Sequence, residues 1–166
     1  MNKDCCTSLA LLLARLSDLQ AGYREAANRA ADPMMVALLS HLFSTHLANH
    51  ARLAEARKGW GFAEAGPGQV QGLSGRAFGH IGRLVAGADE TVLPGLMEAE
   101  ARMVVEYGHV IATVPAQDAP LRALLVTQRA TLQSRIDMLR GLLPRAEAAL
   151  EDNPQLRRAA GAWANP

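Results

Sequence analysis

The sequence lacks a basic face. Its 17 Lys and Arg stand against 16 Asp and Glu, giving a formal net charge of +1, and the arginines are scattered rather than clustered. Binding to a phosphate backbone rests on grouped cations, so nucleic acid is not an expected partner. The chain also lacks any apolar run near the roughly 18 residues that a membrane span requires. In MNKDCCTSLALLLARL, Asp4 precedes the apolar part and no small-residue cleavage site follows it. A cytoplasmic location off the membrane is therefore expected. Cysteine is confined to the adjacent Cys5 and Cys6. That pair cannot build a disulfide framework or a four-thiolate zinc site within one chain, and it suits a reducing compartment. A convincing strand alternation is missing as well.

What is present is a length of 166 residues, enough for one domain that buries a core without staples. Four segments repeat apolar residues at the spacing of an amphipathic helix, which predicts an all-α protein. The first runs from a cap at Thr7 or Ser8 to Ala31, with Leu9, Leu12, Leu13, Leu16, Leu19 and Tyr23 on one stripe. Asp32-Pro33 ends it and opens the second helix, because proline suits a first helical turn and disfavours helix at the residue before it. The second helix is expected to end near Lys58, before Gly59 and Gly61, with Leu39, Leu42, Phe43, Leu53 and Arg57 on its stripe. The third spans about Asp89 to Val114, and the fourth about Pro120 to Leu143.

Between the second and third helices lies a glycine-rich connection. Leu73, Ala77, Ile81, Leu84 and Val85 within it suggest one short extra helix. A connection of this length can return along a whole bundle, which favours a long crossover joining two antiparallel hairpins. The expected organisation is a tail at 1–6, a four-helix bundle at 7–143 and a C-terminal extension at 144–166, frayed past Asn153, with Trp163 the residue that could dock it.

The stretch HLFSTHLANH at 41–50 raises the question of a metal site. At about 100° per residue, His46 lies in the middle of its helix's apolar stripe, His50 falls roughly 40° away, and His41 points to the opposite side. His46 and His50 thus form an i, i+4 pair that could share one ion, although a buried histidine is more often hydrogen-bonded within a core. On the third helix EYGH matches the Glu-x-x-His pattern of di-iron bundles. The stripe Leu93, Leu96, Met97, Val104, Tyr107, Ile111 and Val114 nevertheless predicts Glu106 and His109 to face outward. The one carboxylate on that stripe is Glu100. On the fourth helix Gln128 and Arg135 share the leucine stripe, and Arg135 stands as far from the intervening turn as Glu100 does, which predicts an ion pair between them. Gln20, Tyr23 and Tyr107 are further inward polar groups, completing a buried network with Gln128 and Arg135.

GYREAA at 22–27, the Asp-Pro break, the spacing of Glu100 and Tyr107, and the proline-bounded start of the helix holding Gln128 together resemble a bacterial ferritin-like family of unassigned function over about residues 9–143. The resemblance implies a ferritin-like four-helix bundle. A di-iron member would place a glutamate seven positions before the tyrosine, where this chain has Leu16. Two metal ions are normally balanced by about four carboxylates, and only Glu100 looks like a retained ligand. The expectation is a non-catalytic, stress-related or assembly module whose metal position has become a polar network, with no cofactor. The alternative is a metal-binding protein or oxidoreductase holding one zinc, iron or manganese ion through His46, His50 and Glu100. The sequence is compatible with a homo-oligomer and names no protein partner.

Overall fold

The computed structural model describes residues 3–58 and 93–152, the last ten of these by backbone alone. They form four helices, α1 (Lys3–Arg29), α2 (Pro33–Lys58), α3 (Leu93–Thr113) and α4 (Ala119–Asp152). No strand occurs among the described residues. None of their helices is long and apolar enough to cross a membrane.

The turn between α1 and α2 is built as its residues dictate. Asp32 caps α2: its backbone carbonyl accepts from Val36 N at 3.0 Å, and its Oδ1 accepts from Met34 N at 3.0 Å. Pro33 fills the first helical position, where its missing N–H has no consequence. Between α3 and α4, Asp118 plays the same backbone role, its carbonyl accepting from Arg122 N at 3.1 Å. The Arg122 guanidinium reaches back to the Val114 carbonyl at 2.6 Å, satisfying an acceptor at the end of α3 that the helix itself leaves open.

Among the described residues, two helix boundaries differ from the expected ones by more than two residues. Helix α1 starts at Lys3, not at Thr7 or Ser8. Cys5 is fully buried and extends the apolar stripe one turn back from Leu9, while Asp4 in the first turn suits the positive end of the helix dipole. Helix α4 passes Pro144 and continues to Asp152. The proline removes one backbone donor, but strong helix formers in RAEAALED resume the helix.

Contacts between side chains fix the directions. Arg15 meets Glu106 and Tyr23 meets Glu100, so rising numbers on α1 pair with falling numbers on α3 and the two run antiparallel. Helix α1 is also antiparallel to α2 across their short turn, which makes α2 and α3 parallel. The chain joining them, residues 59–92, lies outside the described residues, as do the expected helix at 73–85 and Trp163. The closest packing is α1 on α2 and α3 on α4; α1 also lies along α3, and α2 meets α4 only sparingly. The core between them is aliphatic, with Leu9, Leu16, Leu39, Leu42, Leu125 and Leu132 among its fully buried side chains. Each such leucine contributes about 1.5–3 kcal/mol relative to exposure, so this packing rather than helix propensity holds the elements together.

Candidate functional site

Four polar or charged side chains are buried among the described residues: His46, Asn49, Glu100 and Gln128. They fall into two layers. In the first, Glu100 Oε1 accepts from the Tyr23 hydroxyl at 2.6 Å and meets His46 Nε2 at 2.7 Å. Tyr23, His46 and Glu100 are each fully buried, and the Tyr23 and His46 rings stack with centroids 5.6 Å apart. Three helices thus converge on one carboxylate oxygen. Gln20, half-buried on α1, donates to the His46 backbone carbonyl at 3.1 Å and ties the α2 backbone beside this layer to α1.

The second layer lies two turns along α3. Tyr107 donates to Gln128 Oε1 at 2.9 Å, and Gln128 Nε2 donates to the Asn49 carbonyl at 3.2 Å. Asn49 was not anticipated from the sequence. Its signal was available: it sits three residues after His46 and four before Leu53, on the same buried stripe.

The electrostatics follow from burial. The Tyr23 phenol is pushed well above its ordinary range, first by desolvation and then by the Glu100 charge and the hydrogen bond to it, with Arg135 opposing. Tyr107 is pushed up mainly by desolvation, with a smaller contribution from Glu100 and an opposing one from Asn49. Both phenols therefore serve as neutral donors over the ordinary pH range. Desolvation lowers Arg135, while Glu100 and Tyr23 act against that shift.

Three expectations are corrected. Arg135 does not pair directly with Glu100. The carboxylate is taken up by Tyr23 and His46 instead, and both Glu100 Oε2 and Arg135 Nη1 are buried without a hydrogen-bond partner. The α3–α4 register that suggested the pair is right, but it sets which residues stand opposite and not whether their side chains touch. Next, Glu106 is not simply outward. It is about one-quarter exposed and bonds Arg15 of α1 at 2.7 Å, because α3 has α1 as well as α4 for a neighbour. His109 is exposed, as anticipated, and so are His41 and Glu98, the latter paired with Arg102. Finally, His50 does not join Glu100 and His46. It is half-buried, with its pKa lowered by desolvation.

Among the described residues, no three His, Cys, Asp or Glu side chains stand where one ion could be held. The donor set of a di-iron centre does not fit either. Leu16 is fully buried in the core, Gln128 and Arg135 of α4 are not carboxylates, and the His46 nitrogen that reaches the centre is already bonded to Glu100. No protein-family model, no curated protein and no solved structure matches this chain.

Proposed function

We propose that this protein is a non-catalytic, ferritin-like four-helix bundle, a stress-related or assembly module in which a buried polar network occupies the place of a metal centre. The observation that carries this reading is the state of Glu100. The carboxylate at the centre of the core is engaged by a tyrosine hydroxyl and a histidine nitrogen of the same chain. A buried charge is tolerated when it is hydrogen-bonded, and these bonds give Glu100 a structural role without an ion.

Support for the ferritin-like arrangement comes from helix direction. Helices α2 and α3 are parallel to each other and each antiparallel to α1. Ferritin-like folds have one long crossover connection. The test of the function is elemental analysis of protein purified without chelators and without a metal-affinity column. Zinc, iron and manganese well below one per chain are expected. A stoichiometric amount of any of them would overturn the proposal in favour of a metal-binding protein.

A further inference from the structure

Buried residues recur every seven positions along the helices of this core. On α4 the line Leu125, Leu132, Leu139 is wholly apolar, and on α3 so is the line Leu96, Met103, Val110. After a slide of seven residues such a repeat again sets apolar positions on apolar positions. Helix α4, with 34 residues against 21 in α3, stays along the core when the α3–α4 hairpin slides toward its own turn. Apolar packing therefore opposes such a slide only where helix ends lose their cover.

The polar residues break the repeat. Tyr23 follows Leu9 and Leu16 on one buried line of α1, His46 stands between Leu39 and Leu53 on α2, and Glu100 follows Leu93 on α3. Donors and acceptors change sides between the two layers. In the first, Tyr23 and His46 of the α1–α2 hairpin meet an acceptor, Glu100, on the α3–α4 hairpin. In the second the sense is reversed, with Gln128 of α4 donating to the Asn49 carbonyl of α2. A slide of seven residues toward the turn would bring Leu93 to the place of Glu100. The Tyr23 hydroxyl and His46 Nε2, both buried, would then lack an acceptor, and the Glu100 carboxylate would move toward a carbonyl that also only accepts.

We propose that the two buried polar layers fix the register in which the α3–α4 hairpin packs on the α1–α2 hairpin. The inference rests on the structural role given to Glu100 above and gives that role its purpose. A single polar residue in a heptad-repeating core is known to select one register among several that apolar packing allows. Here the selection is two-sided, because the reversed sense of the second layer penalises any arrangement that satisfies only one of them.

The experiment compares the full chain, held metal-free with chelator, with the variant carrying Tyr23→Phe, His46→Leu and Glu100→Leu. Register is read by electron paramagnetic resonance as the distance between spin labels at Ser17→Cys on α1 and Arg102→Cys on α3, both exposed positions, with Cys6→Ser in every protein. A slide of one heptad moves a label by about 10 Å along the helix axis. Circular dichroism confirms that each protein is folded. One distance is expected for the wild-type background and two or more for the folded triple variant. A single, unchanged distance in that variant overturns the proposal. Should it fail to fold, the second-layer variant Tyr107→Phe with Gln128→Leu decides by the same reading. A wild-type distance that becomes single only on adding zinc, iron or manganese would overturn the proposed function as well, so the two failures are distinguishable.

Discussion

Removing a single oxygen at position 23 tests the first layer of the core. Tyr23→Phe keeps the ring and its stacking on His46, but it deletes the hydroxyl that donates to Glu100 Oε1 at 2.6 Å. Hydrogen bonds to ionised acceptors are roughly twice as strong as neutral ones. The donor and acceptor are both fully buried, so solvent cannot replace the lost bond. The expected cost is about 2 kcal/mol, within the range of about 1.5–3 for bonds to charged groups. In a Glu100→Gln background the acceptor is a neutral amide oxygen, and the same change should cost only about 1 kcal/mol. The coupling is then on the order of 1 kcal/mol. Urea unfolding of the four proteins, with unchanged dependence on denaturant, supplies the numbers. A neutral Tyr23→Phe, or an equal cost in both backgrounds, would refute the assignment of a charged Glu100 as the acceptor.

Other outcomes follow from the same geometry. Because Tyr23 and Tyr107 are both shifted upward, their contribution to stability is intact below about pH 10, the range of an unfolded phenol, and is lost as pH rises toward the folded values. The slope should approach about 1.4 kcal/mol per pH unit for each tyrosine, and alkaline unfolding of Tyr23→Phe should lose one share of it. The pair of Arg15 and Glu106, one-third and one-quarter exposed, should show a coupling of about 0.2–1 kcal/mol in a double-alanine cycle, shrinking in high salt. Gly108→Ala and Gly141→Ala should each stabilise by about 0.5–1 kcal/mol in thermal unfolding, since a methyl at 108 meets Arg129 no closer than 3.8 Å and one at 141 meets nothing within 4 Å.

Much of this core was legible because helical periodicity is a local property. The stripe through Leu9, Leu16 and Tyr23, the Asp32-Pro33 boundary, and the inward placement of His46, Glu100, Tyr107 and Gln128 all follow from angles on single helices. The exposed His41 and His109 follow in the same way. What was not legible depends on a second helix. Glu106 looks outward against the stripe of α3 alone, but it lies within reach of Arg15 once α1 packs alongside. His50, roughly 40° from His46 on a helical wheel, shares the broad inner side of α2 without reaching Glu100. The pairing of Glu100 with Tyr23 and His46, rather than with Arg135, depends on how far side chains extend across the core. Backbone register does not determine that. The start of α1 at Lys3 precedes the leucine stripe because Cys5 packs as a buried apolar residue one turn before Leu9.

The central claim, that Glu100 serves structure and not a metal ion, is tested most directly by the denaturant midpoint of the wild-type chain, measured with chelator and then with increasing zinc, manganese or ferrous iron. An ion that binds only the folded state stabilises it by about 2.7 kcal/mol at one hundred times its dissociation constant. No shift of the midpoint is expected for any of the three ions. A shift that grows with the logarithm of metal concentration and disappears in Glu100→Gln would contradict it.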